Sequence, residues 1–342
     1  MRKLLILILG IILIFSGCAL IPSPEPLTDF AGYHGEVMLY SSLQDRQLSA
    51  LKNGFEEKYP GITLNYCYGN SGKLFTKLNS EVQSGDISAD IIWTGNPLDY
   101  IKLKENRILS PYISPQAINI NPLLMDEHHY YVGGMMVSAV IAYNTELLSE
   151  EEAPSSWSEL LDNRWKNSVI MADPCSAGTS SFFTSALMQS DKYGEDYFER
   201  LRSNGCMLES GTTATHLRVA KGDYKVCIGL DYVVKNLKDE GFPIDMKYPD
   251  EDMISLCCPI GLVAGCPNER NARLLYDFIL SKEGQEILVE NNLHSIRDDV
   301  LQPDFSVELL LNTSLKADNE QLSLCENKSL SAFDHIFFAD YN

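Results

Sequence analysis

Apolar and polar positions along the first third of the chain predict a strand–helix–strand order. Residues 36–40 form an apolar strand pattern, and residues 44–58 follow with helical spacing that places Leu48, Leu51 and Phe55 on one face. The next strand, helix and strand are predicted at residues 62–66, 72–82 and 90–93. Repeats of this kind predict an α/β protein whose mixed, mostly parallel sheets are flanked by helices.

The middle and end of the chain continue the alternation less regularly. Residues 130–143 form a long apolar stretch interrupted by Gly133-Gly134. Further strands are predicted at 169–171, 224–230 and 254–264, and further helices at 157–161, 179–189, 271–280 and 283–291. About 320 residues remain after the N-terminal segment. A chain of that length is long for a single hydrophobic core and suits two lobes.

The N-terminus predicts export and lipid attachment. Arg2 and Lys3 precede an apolar run at residues 4–15, and Ser16-Gly17-Cys18 follows. The run is shorter than the ~20 residues of a membrane-spanning helix, although an uncleaved anchor helix is the alternative. We expect a signal peptide at residues 1–17, a lipid on Cys18, and a proline-containing tether at residues 18–35. The predicted location is extracytoplasmic, on a membrane.

Charge and cysteine content narrow the function classes. Forty-seven acidic side chains against 27 basic ones give a net charge of −20, which argues against a nucleic-acid partner. None of the nine cysteines has zinc-type spacing, and we predict no metal centre or cofactor. Cys257 and Cys258 are adjacent, so in a strand they would point to opposite faces. Free buried thiols and disulfides both remain open.

Four strand-to-helix turns carry the candidate binding chemistry. Ligands of open α/β sheets bind outside the carboxyl ends of strands, and small polar turns there let backbone N–H groups approach an anion. Helix capping alone would also explain any one of these turns. The candidates are Ser41, Ser42, Asn70, Ser71, Gly72, Lys73, Gly95, Asn96, Ser176, Gly178, Thr179 and Ser180.

The order of several short motifs resembles the type II periplasmic solute-binding proteins of ABC importers. The resemblance runs from about residue 36 to 300. Within these proteins, the chain resembles the subgroup that contains ferric-binding, phosphonate-binding and sugar-phosphate-binding proteins. The motifs are Leu39-Tyr40-Ser41-Ser42, Ala89-Asp90-Ile91-Ile92-Trp93, Ala142-Tyr143-Asn144-Thr145, Pro154-Ser155-Ser156-Trp157, Met171-Ala172-Asp173-Pro174 and Asp277-Phe278-Ile279-Leu280.

The resemblance implies a two-lobed, Venus-flytrap architecture with the ligand between the lobes. We place the strands that cross between lobes near residues 131–137 and 253–259. Lobe 1 would then comprise residues 36–132 and 259–300, lobe 2 residues 133–258, and residues 301–342 would form a helical tail. That tail would pack on the lobes through Phe333, Phe337 and Phe338.

The same resemblance implies the partners. It implies a small-molecule ligand, a membrane permease with its ATPase, a monomeric state and no catalysis. Two classes remain as alternatives. A hydrolase-like enzyme would use Cys175 beside Ser176 with His216, and a purely structural lipoprotein would lack a cleft between lobes.

Two ligands are compatible with the resemblance. Ferric-binding members hold iron with two adjacent tyrosines, usually with a histidine and an acid, whereas this chain has Asp231-Tyr232 at the matching place. A ferric site would therefore use Tyr232 and Asp231. We favour a phosphonate or phosphorylated organic ligand instead, because residues 176–180 match the turn that holds phosphate in relatives. Thr212 and Lys73 would add a donor and a charge, although Lys73 could simply begin a helix.

Overall fold

The computed structural model describes residues 32–303, 305–313 and 318–338. The predicted signal peptide, Cys18 and most of the tether lie outside these residues. In the described part of the chain, we find no helix with the length and apolar character needed to cross a membrane. The eight described cysteines, from Cys67 to Cys325, are all free.

The first half of the sheet is built mainly from the N-terminal third of the chain. Strand β1 is central and pairs in parallel with β2 and β3, while β4 lies antiparallel to a later strand. The elements are β1 (Gly35–Ser41), α1 (Asp45–Lys58), β2 (Ile62–Tyr68), α2 (Ser71–Ser84), β3 (Ile91–Trp93), α3 (Pro97–Glu105) and β4 (Leu109–Ser110). Helix α1 buries Leu48, Leu51 and Phe55 as its spacing predicts.

The second half of the sheet repeats this arrangement. Strand β6 is parallel to β7 and β8, with helices in the connections. The elements are β6 (Val169–Ala172), α4 (Gly178–Met188), α5 (Gly194–Ser203), β7 (Met207–Glu209), α6 (Thr212–Ala220), β8 (Val226–Leu230), α7 (Asp231–Asp239) and β9 (Ile244–Lys247). Parallel strands flanked by helices confirm the predicted α/β class.

One long strand joins the two halves. Strand β5 (Val132–Asn144) is buried throughout. Its first part pairs antiparallel with β10 (Ser255–Val263), and its second part pairs with β8 and β9. Residues of β5 and β10 therefore form the floor between the halves. The lobe boundaries given above stay a prediction.

The C-terminal quarter is helical. It contains α8 (Glu269–Leu280), α9 (Lys282–Glu290), α10 (Val307–Thr313) and α11 (Asn319–Phe338). Phe333 and Phe337 are buried and stack with ring centroids 4.3 Å apart, whereas Phe338 is 38% exposed. Packing of α11 therefore depends on Phe333 and Phe337, and Phe338 contributes little to it.

Candidate functional site

A cavity of about 260 Å³ lies between the two halves of the sheet, at the carboxyl ends of β1, β2, β3, β6 and β7. Its walls come from both halves and its floor from β5 and β10. The lining residues are Ser42, Tyr68, Asn70, Ser71, Gly95, Met135, Val137, Ala177, Gly178, Thr179, Ser210, Gly211, Thr212, Thr213, Ala214, Leu230, Tyr232 and Cys258.

The two walls touch each other above the cavity. Asn70 Nδ2 donates to the carbonyl of Ser210 at 3.1 Å, and Gln44 Nε2 donates to Thr213 Oγ1 at 2.9 Å. Gly178 fits this closed arrangement because a Cβ there would lie 2.8 Å from Ser71 Oγ in the facing wall. The structure therefore shows the closed form of the cleft.

Three helices begin at the cavity. The first residues of α2, α4 and α6 all belong to its lining. Their N-cap residues are Asn70, Ala177 and Gly211, and none of these side chains caps its helix. The first N–H groups of a helix have no partner within the helix, and the helix dipole adds partial positive charge there. The three ends together favour an anion.

These three helices differ from the other α-helices in the described residues. Each of the remaining eight carries an aspartate or glutamate in its first turn, whereas α2, α4 and α6 carry none. Acidic side chains at a helix start satisfy the dipole from within the protein. All three helix starts without such a residue line the cavity, so an external anion can take that role there. Helix α7, whose Tyr232 also lines the cavity, carries Asp231 in its first turn.

The cavity presents no charged side chain among its described lining residues. Two carboxylates neighbour lining residues in sequence, and both are engaged elsewhere. Glu209 accepts from the backbone N–H of Ser210 at 2.9 Å and lies near the guanidinium of Arg218. Asp231 is fully buried and is described next. A bound anion would therefore meet backbone and hydroxyl donors without a competing carboxylate.

Asp231 belongs to a buried network beneath the site. Its carboxylate accepts from the backbone N–H groups of Ser138 and Tyr232, at 3.2 and 2.8 Å. It also accepts from His294 Nε2 at 2.7 Å and from the Tyr248 hydroxyl at 3.3 Å. The Ser138 bond ties the start of α7 to strand β5, and the four bonds together occupy the carboxylate, so Asp231 supports the floor and does not face the ligand.

The lining also contains aromatic and apolar side chains. Tyr68 and Tyr232 come from opposite walls, and Met135, Val137 and Cys258 come from the floor strands. Tyr232 is only 7% exposed, and burial raises the pKa of its hydroxyl strongly, so it is a neutral donor. Within the described residues, we find no hydrogen bond to that hydroxyl. It is therefore available to a ligand.

His216 links the start of α6 to the end of β8. Its Nδ1 donates to the Thr212 carbonyl at 2.7 Å, and its Nε2 accepts from the Leu230 N–H at 2.8 Å. Burial lowers its pKa to about 4, so the ring is neutral at physiological pH. Both of its nitrogens are engaged, which leaves neither to act as a base for Cys175. Burial and Asp173 also raise the pKa of Cys175 to about 11, so its thiol is protonated.

The structure brings eight of the fifteen sequence-predicted residues to the cavity. They are Ser42, Asn70, Ser71, Gly95, Gly178, Thr179, Thr212 and Tyr232. All eight lie in turns or first helical turns that follow a strand, Tyr232 being the second residue of α7 directly after β8.

The other seven lie outside the cavity lining. Ser41, Ser180 and Ser176 use their hydroxyls on the protein itself, bonding to Leu43 N, Ala172 O and Ser210 O. Gly72 and Lys73 line an outer groove together with Ser176. Asn96 caps α3, and Asp231 belongs to the network under the floor.

Sequence reasoning missed most of the turn before α6. Ser210, Gly211, Thr213 and Ala214 line the cavity, yet only Thr212 was named. Strand β7 precedes this turn and is short and partly exposed, so its pattern is weak. The run Ser210-Gly211-Thr212-Thr213 has the same small polar character as the other turns and was the available signal. The floor residues had no signal beyond their apolar character.

Comparisons with known proteins agree on one kind of protein. A family model described as bacterial extracellular solute-binding protein matches residues 86–316, about two thirds of the chain. A Salmonella typhimurium protein, provisionally named a 2-aminoethylphosphonate-binding periplasmic protein, is 28% identical over 260 residues. That match covers 72% of this chain and 73% of the relative.

Solved structures show the same fold. The periplasmic binding protein AfuA from Actinobacillus pleuropneumoniae, with exogenous fructose-6-phosphate bound, superposes with a TM-score of 0.79 at 25% identity. The match covers 89% of this chain and 98% of AfuA. Iron-bound HitA from Pseudomonas aeruginosa gives a TM-score of 0.76 at 18% identity, covering 88% of this chain and 99% of HitA. The predicted two-lobed fold is confirmed.

Proposed function

Because the chain belongs to the bacterial extracellular solute-binding proteins, we propose that it captures a phosphonate or phosphorylated organic compound for an ABC importer. The observation that carries this proposal is the convergence of α2, α4 and α6 on one cavity. Their starts lack both side-chain caps and first-turn acids, and such helix ends bind phosphate groups.

The relatives support this choice of ligand class. AfuA holds fructose-6-phosphate in its solved structure, and the Salmonella relative is provisionally named for a phosphonate. Both ligands carry a tetrahedral oxyanion on a small organic body. The donors at the three helix starts suit that shared group.

Capture and release depend on closure of the two lobes around the ligand. Residues from both walls line the cavity, so the ligand would bridge Ser71 and Gly178 on opposite sides. The permease and its ATPase would recognise this closed form and accept the ligand from it. In this proposal the protein binds its solute without converting it, and the lipid on Cys18 keeps it at the membrane beside the permease.

Ferric iron is the second candidate, favoured by two tyrosines that face the cavity. Tyr68 and Tyr232 lie on opposite walls, and phenolate oxygen suits a hard cation. HitA is iron-bound in its solved structure. Among the described lining residues there is nevertheless no carboxylate or histidine, and Asp231 is fully engaged beneath the floor. Iron would therefore need a chelating anion to complete its ligands.

A ligand screen by thermal unfolding tests the proposal. Glucose 6-phosphate, fructose 6-phosphate, propylphosphonate, 2-aminoethylphosphonate and ferric citrate are compared on the purified protein. A ligand at a hundred times its dissociation constant stabilises the folded state by about 2.7 kcal/mol. We expect at least one phosphorylated or phosphonate compound to raise the melting temperature, with unchanged ³¹P spectra after incubation. A response to ferric citrate alone would favour iron, and release of inorganic phosphate would indicate an enzyme.

A further inference from the structure

The cavity also constrains the part of the ligand that is not the anion. Besides the starts of α2, α4 and α6, the lining contains Tyr68, Tyr232, Met135, Val137 and Cys258. These five side chains offer aromatic faces, apolar groups and hydroxyls, and no described lining residue could neutralise a positive charge.

The carboxylates that neighbour the cavity lining in sequence are already occupied, and so is the Ser210 carbonyl. The Asp231 carboxylate accepts four hydrogen bonds, and Glu209 is held by Ser210. The Ser210 carbonyl accepts from both Asn70 Nδ2 and Ser176 Oγ. An ammonium group enclosed here would lose its hydration without gaining an ion pair, which is strongly unfavourable.

We propose that the site selects a solute with one phosphate or phosphonate group and an uncharged body, and that it discriminates against amino-substituted analogues. This inference rests on the proposed function. The anion would lie at the starts of α2, α4 and α6, and the uncharged body would lie between the two tyrosines over the floor strands. Neutral hydroxyls on the body can bond to Tyr232 and Thr213 at no charge penalty.

Matched ligand pairs test this selectivity by calorimetry on the unmodified protein. Glucose 6-phosphate is compared with glucosamine 6-phosphate, and propylphosphonate with 2-aminoethylphosphonate, so that each pair differs mainly in one ammonium group. We expect the amine to bind at least about tenfold more weakly in every pair that binds, since an unpaired enclosed charge costs more than 1.4 kcal/mol.

The outcomes separate the two proposals. Equal or tighter binding of the amines would overturn the selectivity while leaving phosphate capture intact. Failure of all four compounds, together with a response to ferric citrate, would overturn both.

A second inference rests on a different observation, the position of α11 across the two halves. Glu326 on this helix is 2% exposed. It accepts from Asn96 Nδ2 at 2.7 Å and forms an ion pair with Lys102 in the first half. It also accepts from Ser181 Oγ of α4, in the second half, at 2.8 Å. One buried carboxylate therefore joins both walls beside the cleft.

Further along α11, two hydrogen bonds and a ring contact join the helix to the second half. Ser329 Oγ accepts from Gln189 Nε2 at 3.1 Å, and the Phe337 carbonyl accepts from Arg202 Nε at 3.3 Å. Phe333 packs edge-to-face on Phe198 with ring centroids 5.4 Å apart. If the halves separate, α11 has more contacts to retain it on the second half. The bonds from Glu326 to Asn96 and Lys102 would then be the ones that break.

We infer that Glu326 is a latch, a positioning residue that stabilises the closed arrangement of the lobes and so strengthens ligand retention. Small-angle scattering of the ligand-free protein tests this without any assumption about the ligand. We expect Glu326→Ala and Lys102→Met to enlarge the radius of gyration, because both remove the link to α3. Ser329→Ala is the matched control, since it removes an α11 hydrogen bond that stays within the second half.

Affinity for the best compound of the screen gives the second readout. A bond to a charged group contributes about 1.5–3 kcal/mol, so Glu326→Ala should weaken binding at least about tenfold, with Ser329→Ala within about twofold. Glu326→Gln keeps the size and the acceptor for Asn96, and serves if the alanine variant folds poorly. Scattering profiles and affinities equal to those of the control would overturn the latch, whether or not the ligand class is correct.

Discussion

The start of α3 and the start of α4 look alike in sequence but do opposite things. Both follow a strand end through a small polar turn, at Gly95-Asn96 and at residues 176–180. At α3, Asn96 accepts from the Leu98 N–H at 3.1 Å and Asp99 lies in the first turn. At α4, Ala177 cannot cap and no acidic residue follows. The protein's own side chains therefore satisfy the start of α3, whereas the first backbone N–H groups of α4 are open to the cavity.

This difference teaches what marks an anion site in this fold. Small polar residues at strand ends are common to capped and open helices, because both need tight turns and available hydroxyls. The informative feature is the combined lack of a cap and of first-turn acids. Helices α2, α4 and α6 share this lack, and their first residues all line the same cavity. Four expected outcomes follow from the comparison, beginning with the largest.

Gly178→Asp should abolish the binding of a phosphorylated ligand. The new carboxylate would lie at the open start of α4, and its Cβ would be 2.8 Å from Ser71 Oγ across the cleft. Like-charge contact costs several kcal/mol, so we expect a loss of about a hundredfold or more in affinity by calorimetry. Gly178→Ala isolates the steric part, and Gly32→Asp adds the same charge where a Cβ has no neighbour within 4 Å in the described part of the chain. Retained affinity in Gly178→Asp would place the anion elsewhere.

Ala177→Asp should convert the open start of α4 into a capped one. An aspartate N-cap stabilises a helix by about 1 kcal/mol relative to alanine, so the ligand-free protein should melt higher. The same carboxylate competes with the ligand, and we expect affinity to fall by about tenfold. Ala177→Ser supplies a cap without charge and should shift both quantities less. If stability and affinity both rose, the idea that ligand and cap compete would be wrong.

Tyr232→Phe should weaken binding with little effect on the fold. The hydroxyl lines the cavity, and no partner for it is found in the described ranges, so its removal leaves the protein's own bonds intact. A lost neutral hydrogen bond of about 1 kcal/mol corresponds to about fivefold in affinity. Calorimetry measures the effect on ligand affinity, and a melting curve on the same sample measures the effect on stability. A large drop in melting temperature would show that the hydroxyl serves the fold.

Asp99→Asn should change the pH dependence of stability and leave ligand affinity unchanged. Burial, followed by the nearby Glu326, raises the pKa of Asp99 to about 7, against the opposing effects of Lys102 and Asn96. The folded protein thus favours the protonated form, and stability is lost as pH rises from about 4 towards 7. The variant removes this loss, so its melting temperature relative to wild type should increase between pH 5 and pH 8. A constant difference across that range would contradict the assignment.

The sequence predicted the layout of the site better than its details. Turns that follow the strands of an α/β sheet lie at its ligand-binding edge. Ser42, Asn70, Gly95 and Thr179 could therefore be predicted as site residues from their positions alone. Which member of each turn faces the cavity depends on side-chain bonding that sequence does not show. Ser180 bonds back to Ala172, for example, while its neighbour Thr179 lines the cavity.

Two kinds of information had to come from the structure. From the sequence, Asp231 beside Tyr232 is a candidate ligand contact. In the structure its carboxylate is buried and accepts four hydrogen bonds from the protein. Long-range packing also revealed Glu326, since a glutamate within a helix carries no local signal for a contact with Asn96, 230 residues away. In contrast, the apolar pattern of α1 and the floor strands followed directly from residue spacing.

A crystal structure of the protein with glucose 6-phosphate, or with the best compound of the screen, tests the central claim most directly. We predict phosphate oxygens that accept from first-turn N–H groups of α2, α4 and α6, with no protein carboxylate in contact. An anion bound at the outer groove beside Lys73, or a ferric ion held by Tyr68 and Tyr232 with these N–H groups unused, would contradict it.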